Sequence, residues 1–422
     1  MSRRSSRPRR SVLRGLLPLA VLIGVLYLYW RYPDAFSWLQ PSDGPVIRVD
    51  LSTSAAQPTL APAAQPTQPP AATPLPTTAV SAPAGGQGSS AAVYSQSGGW
   101  YQLFFSNPRY PDRREYHRDG IDAHLAALLD TATATIDIAI YDFDLENVAN
   151  ALARAAGRGV RVRMVTDSDT LTNDDAAVQR AFAIVKGARI PIVDDGRPAI
   201  MHNKFVVVDA ATVWTGSWNF TDGDTYRLNN NAIQIASAEL AQNYTAEFEK
   251  MFVQRQFGPA KAGSLRDPVL SIGGVRVENY FAPEDGVAAR INSRLQQATQ
   301  SIHFLAFSFT SDPIGKTVRQ KAKEGVQVAG VFETTGSETL YSEYGKMLKA
   351  KLDVLQDGNP YVMHHKVIII DGKTVIFGSY NFTNNAENDN DENLLIVDDA
   401  QLASAFEAEF QRVRATALKP PK

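Results

Sequence analysis

The sequence contains no cysteine, which excludes disulfide bonds and thiolate metal sites and leaves the redox compartment open. Histidine is scarce, six residues in 422, so the pair at His364 and His365, directly before Lys366, asks for a reason. Net charge is small as well, a formal −2. It is unevenly spread: residues 1–99 carry eight arginines against three aspartates, which leaves the remainder at −7. A general attraction of the main body for nucleic acid or anionic lipid is thereby excluded, although a local basic groove is not. What is present is 44% hydrophobic and 20% charged residues, the composition of a folding chain with room for two or three domain-sized units.

The N-terminus reads as a membrane signal. A basic tail (1–14) precedes "GLLPLAVLIGVLYLYW", 16 uncharged residues over 15–30, or about 24 Å of helix at ~1.5 Å per residue. That is short of a hydrocarbon core of ~30 Å, but Arg14 and Arg31 can snorkel, and Tyr27, Tyr29 and Trp30 suit an interface. The expectation is an uncleaved transmembrane anchor, with a cleaved signal peptide as the alternative. Arginine before the span places the N-terminus in the cytoplasm and the rest outside. Residues 31–98 are rich in Pro, Ala and Thr, too polar to order themselves, and read as an extracytoplasmic stalk about 40 Å from end to end.

The folded body is a duplication. A shift of 162 residues lays His202 on His364, Lys204 on Lys366, Asp209 on Asp371, Ser217 on Ser379 and Asn219 on Asn381. The match runs into helices in which Leu240, Tyr244 and Phe248 meet Leu402, Phe406 and Phe410 at i, i+4, i+8 spacing. Upstream, at a shift of 166, "IDIAIYDF" from Ile136 pairs with "IHFLAFSF" from Ile302. Two α/β halves follow, 99–262 and 263–415 with a tail at 416–422, packed about a pseudo-twofold axis.

"VIIID" and "TVIFGS" flank the turn signal Asp371-Gly372 and read as a hairpin. Alternation puts His364 and Lys366 on one side, with Ser379 and Asn381 opposite within a residue or two; the first half repeats this with His202, Lys204, Ser217 and Asn219. Lys, Ser and Asn offer donors suited to phosphoryl oxygens, and two facing sets would surround one phosphate. One histidine then attacks phosphorus while the other handles the leaving-group proton. No metal is needed, and the two lysines would repel one.

The spelling H-x-K-x4-D followed by G-S-x-N, at His202, Lys204, Asp209, Gly216, Ser217, Asn219 and again at His364, Lys366, Asp371, Gly378, Ser379, Asn381, resembles the paired signature of the phospholipase D superfamily. The resemblance implies a mixed sheet between helices in each half, one shared active site at their junction, and a covalent phosphohistidine formed without a cofactor. The stretch "GSYNFTNNAENDNDENLLIV" resembles the nuclease-like branch, in which a glutamate beyond the motif orients the histidine; Glu392, 28 residues after His364, fits that role.

The first half has Asn230 where the second has Glu392. Asn230 supplies no charge to His202 unless Asp222 or Asp224 substitutes. A carboxylate on an imidazole raises its basicity, which favours His364 as nucleophile and His202 as acid, whereas family habit favours the reverse. Asp209 and Asp371, at hairpin turns, read as structural, bonding turn amides. His365 reads as neutral packing or a solvent contact. Tyr141 and Phe307 are matched candidates for a pocket wall or the core. Three functions stay open: a phosphodiesterase or transferase acting on phospholipid, favoured by the anchor; a membrane-anchored nuclease, favoured by the Asn-Phe-Thr extension and Glu392; and a silent binding module. No obligate protein partner is implied.

Overall fold

The structure is a computed structural model that describes residues 93–265 and 267–422. The basic tail, the apolar run 15–30 and the sequence up to residue 92 lie outside the described residues. Among the described residues no helix is long and apolar enough to cross a membrane.

Each half is built on an eight-stranded mixed sheet. The first contains β1 (Val93–Ser97), β2 (Tyr101–Ser106), β3 (Thr135–Ile140), β4 (Arg161–Thr166), β5 (Ile192–Asp194), β6 (Lys204–Val208) and β7 (Thr212–Gly216); after a short β8 (Leu228–Asn229) that stands apart, β9 (Asn231–Ala236) completes it. The spatial order is β1-β2-β9-β7-β6-β3-β4-β5. The second contains β10 (Val269–Ile272), β11 (Val275–Ala282), β12 (Ser301–Ala306), β13 (Gln327–Phe332), β14 (Asp353–Gln356), β16 (Lys366–Ile370), β17 (Thr374–Gly378) and β18 (Glu392–Asp398). Its order, β10-β11-β18-β17-β16-β12-β13-β14, is that of the first. The remaining strand, β15 (Val362–Met363), leaves its own half and pairs in parallel with β8.

The apolar runs of β6 and β16 follow from burial on both faces. Phe205 and Val207, like Val367 and Ile369, point into a core shared by the two sheets; Val206 and Val208, like Ile368 and Ile370, point into the separate outer cores beneath each half's flanking helices. The shared core is filled by the helices Ala238–Phe252 and Ala400–Leu418. Tyr244 meets Phe205 of its own half and Phe281 of the other, with ring centroids 5.0 and 5.1 Å apart; Phe406 likewise meets Phe377 and Phe105 at 5.0 and 5.1 Å. Both helices start on matched caps, Ser237 accepting from the Leu240 amide and Asp399 from the Gln401 and Leu402 amides.

Two boundaries differ from those expected. Val93–Ser97, assigned to the stalk, is β1, paired antiparallel to β2 with Tyr94 stacked on Phe105 at 5.1 Å. The last helix runs to Leu418, past the expected end at 415, because its final turns pack beside Gly358. Small polar residues obscured the first, and the absence of a helix stop signal left the second undetermined.

Asp209 and Asp371 end β6 and β16 in left-handed conformations, φ 52° and 54°, at the edge opposite the histidines. They bond amides, but those of the neighbouring loop: Asp209 accepts from Thr133, Ala134 and Thr135, and Asp371 from Thr299, Gln300 and Ser301, all at 2.8–2.9 Å. Burial alone would raise both carboxyls; the amide hydrogen bonds outweigh it and hold them below the usual range. A depressed folded-state pKa stabilises the fold above the unfolded-state value and loses that contribution as pH falls. Asp209→Asn and Asp371→Asn should each lose about 1–3 kcal/mol at pH 7, with the gap to the parent closing as pH drops below about 4. A gap that persists at low pH in urea titrations would show that charge is not what those loops recognise.

The motif glycines are required by close approach. At Gly216 and Gly378, φ is 150° and 155°, and a Cβ would lie 2.3 Å from the carbonyl oxygen of Asn231 and Asn393 respectively. Gly216→Ala and Gly378→Ala are expected to destabilise by about 2 kcal/mol or more in urea unfolding. Gly157→Ala, at a helix end with nothing within 4 Å, should stay within about 0.5 kcal/mol of the parent.

Candidate active site

The histidines lie just before β6 and β16, at the edge where β3, β7, β12 and β17 end and β9 and β18 begin. Both imidazoles and both lysines are buried. The two edges are brought together by exchange. His202 donates its amide to the carbonyl of Asp391, and His364 donates to that of Asn229, each at 3.0 Å. These pairs are related by the same offset of 162, the signature of an isologous contact inside one chain.

The side chains cross over in the same way. His202 Nδ1 lies 2.9 and 2.8 Å from the two carboxylate oxygens of Glu392. His364 Nδ1 lies 3.0 Å from Asn230 Oδ1 and 3.3 Å from Asp224 Oδ1. Glu392 therefore serves the histidine of the other half, which corrects the expectation that it orients His364. Asp224 does substitute for the missing charge, but at His364 and not at His202. The reason is topological: β18 begins beside its own Ser379 yet faces the junction, so its first side chain reaches across. The residue matching Asp224 in the second half is Ala386. Asn230 with Asp224 thus balances Glu392 with Ala386, and each imidazole receives one carboxylate.

Carboxylates and an amide oxygen only accept, so each Nδ1 carries the proton and each Nε2 is left bare. Burial pushes both imidazoles down to about 4; at His202 the pull of Glu392 is overcome with help from Lys204, and at His364 Lys366 reinforces burial against Asp224. Burial raises the two carboxyls in turn, but hydrogen bonds to the histidines outweigh it, so Glu392 stays low and Asp224 falls to about 2. Before an anion binds, the pocket therefore holds two neutral imidazoles and two carboxylates.

The lysines are held identically. Lys204 Nζ donates to the carbonyl of His202 and Lys366 Nζ to that of His364, both at 2.8 Å. Each ammonium also sits over an aromatic ring, Tyr141 at 5.1 Å and Phe307 at 4.6 Å. Those rings stand edge-on to His202 and His364 at 5.1 and 4.7 Å, so both line the site. Burial lowers Lys204 to about 8 and, with the charge of Lys204 added, drives Lys366 well below its ordinary value. A bound phosphodiester would relieve that crowding of positive charge.

The motif serines do not face a phosphate as expected. Ser217 donates to Asn230 Oδ1 at 2.8 Å and Ser379 to Glu392 Oε2 at 2.6 Å, because each follows directly on β7 or β17, beside the start of β9 or β18. Asn219 donates to Asp224 at 3.3 Å. Its Oδ1, like that of Asn381, is buried without a hydrogen-bond partner, an open acceptor at each motif. His365 is buried between Glu409 at 2.8 Å and Asn231 at 2.9 Å, consistent with neutral packing.

Asp391 was missed in the sequence. Its backbone carbonyl receives the His202 amide, and its carboxylate accepts from the Gly258 amide at 2.7 Å and pairs with Lys261 at 3.0 Å and with Arg197. It ties the segment between the halves to the strand that starts with Glu392. Its sequence signal is faint, one aspartate in an Asn- and Asp-rich run.

A protein family described as "Cardiolipin synthase, PLD-like domain" matches residues 125–252 and 291–414. A phospholipase D of Rickettsia bellii is 33% identical over 131 residues, covering 31% of this chain and 65% of that one. The mitochondrial cardiolipin hydrolase of Chlamydomonas reinhardtii is 29% identical over 179 residues, 37% of this chain and 77% of that one. The phosphatidylserine synthase of Haemophilus influenzae superposes with a TM-score of 0.53 at 13% identity, over 70% of this chain and 84% of that one, a likeness of fold alone. The chain thus spans just under two-thirds of the length of the first relatives, while the family match takes in both halves. With the doubled motif and its crossed histidine contacts, these findings make the chain a member of the phospholipase D superfamily.

Proposed function

We propose that the chain is a phosphodiesterase that cleaves a phospholipid head-group linkage through a covalent intermediate on His202. The observation that carries this reading is the crossed pairing, in which each imidazole takes its Nδ1 acceptor from the opposite half and feels the opposite half's lysine. The lone pair of His202 Nε2 attacks phosphorus, and the P–O bond to the leaving alcohol breaks. His364, protonated once the anionic substrate is bound beside it, gives its Nε2 proton to the departing oxygen. It then takes a proton from water, whose oxygen displaces His202 and releases a phosphomonoester. Lys204 and Lys366 hold the non-bridging oxygens throughout.

The direct carboxylate of Glu392 fixes His202 with Nε2 bare and stabilises the positive ring that forms on attack, which supports it as nucleophile. His364 leans chiefly on a neutral amide and keeps Asp224 slightly farther off. The argument from basicity that favours His364 when only sequence is considered is reversed by the crossover. In kcat profiles His202 must be neutral and His364 charged, so the acid limb belongs to the first and the alkaline limb to the second. Glu392→Gln should move the acid limb to lower pH and reduce kcat by on the order of 10²–10⁴-fold. Asp224→Asn should instead move the alkaline limb to lower pH. Exchange of the two effects would assign the roles the other way.

Phospholipid is favoured as substrate by the phospholipase D and cardiolipin hydrolase relatives, and by the apolar run 15–30, which would hold the body at an outer membrane face. Purified full-length protein is expected to release phosphatidate from phosphatidylcholine or cardiolipin in the presence of chelator. Oligonucleotides from single-stranded DNA and no lipid product would establish the nuclease instead, and silence on all substrates a binding module.

A further inference from the structure

Five of the seven exposed large hydrophobic side chains among the described residues follow elements that end at the catalytic edge: Tyr110, Val253, Leu340, Tyr341 and Leu418. Leu340 and Tyr341 are the extreme case, 89% and 75% exposed and adjacent in sequence. Their loop follows β13 and is seated against the wall of the active site. The Glu343 amide donates to the carbonyl of Phe309 at 2.9 Å, and a Cβ on Gly336 would lie 2.7 Å from the carbonyl oxygen of Phe307, whose ring covers Lys366. Tyr110 lies on the first half beside Tyr361, rings 5.8 Å apart, three residues before His364. Val253 ends the helix whose Met251 Sδ is 3.9 Å from Asn203.

The charges on this edge are mixed. Asp174, Asp175 and Glu338 are exposed there, and so are Arg113, Arg114, Arg255 and Lys419 beside the other apolar side chains, in a body that is net negative. The loop 338–342 carries one charge, Glu338, and no cation, so the protruding Leu-Tyr pair offers nothing to a nucleic-acid backbone or an anionic surface, yet leaves apolar insertion available. Leu favours the acyl region and Tyr the head-group boundary. The described residues also begin at this edge, since Val93 pairs with Ser106 at the end of β2.

We propose that the loop 338–342 docks the catalytic edge on a phospholipid bilayer, with Leu340 and Tyr341 inserted beside the active site; the proposal rests on the phospholipid reading above. Two side chains give weak binding alone, and a covalent tether would make such a contact sufficient by raising the local concentration. Since insertion is apolar, it should resist salt.

The absence of cysteine permits a clean test. Full-length Leu340→Cys carrying an environment-sensitive fluorophore should brighten and shift to the blue on zwitterionic phosphatidylcholine vesicles, equally at 0.05 and 0.5 M NaCl, while a label at Lys373→Cys on the opposite edge stays unchanged. A silent label at 340, a response at both positions, or a response only to single-stranded DNA overturns the proposal. In parallel, Leu340→Ser/Tyr341→Ser should lower kcat/KM on vesicles by on the order of tenfold and leave hydrolysis of monomeric short-chain phosphatidylcholine within about twofold. Equal losses on both lipids would overturn docking. A label that inserts in a protein unable to hydrolyse either lipid would sink the substrate reading and leave docking in place.

Discussion

The whole site depends on a reciprocal exchange at the junction of the halves. Each histidine gives its backbone amide to a carbonyl of the opposite half and receives its acceptor side chain from there as well. Buried polar groups must be paired, so neither motif edge is satisfied alone. The shared core enforces the same closeness from below, since Tyr244 and Phe406 each pack against rings of both sheets. Catalytic geometry and folding are in this sense one constraint.

Much of the fold was legible because it is local and periodic. The run "VIIID", the turn at Asp371-Gly372 and the i, i+4, i+8 apolar stripe of the last helix are each dictated by neighbours in sequence, and the repeat doubled every signal. The duplication also singled out the residues of the candidate site; of these Glu392 contacts His202, and Lys204 and Lys366 bond the carbonyls of His202 and His364. What could not be read was which half each side chain serves. Spacing placed Glu392 after His364, but its target is set by a strand that begins at an interface, a tertiary fact with no sequence period. The partners of the serine hydroxyls escaped for the same reason: Asn230 and Glu392, which accept from them, are set by where β9 and β18 begin. The strand at Val93–Ser97 escaped because its half-buried polar residues resemble the low-complexity sequence before it.

The lysines illustrate how burial prepares a pocket for an anion. Burial depresses both ammonium groups and Lys204 depresses Lys366 further, and the aromatic faces and histidine carbonyls beneath them compensate only in part. A bound phosphodiester would complete the charge balance and thereby couple its binding to the protonation of one imidazole. Tyr141 and Phe307 keep water away from the same groups, which strengthens every interaction that the substrate then makes.

The substitution of Asn230 with Asp224 for Glu392 with Ala386 has a further meaning. Two identical subunits meeting on a true twofold axis must surround both imidazoles with the same atoms, and their resting affinities for a proton are then equal by symmetry. A single polypeptide that carries both copies is released from that rule. One acceptor is a carboxylate and its counterpart an amide backed by a second acid, so the two rings meet unlike surroundings before any ligand arrives.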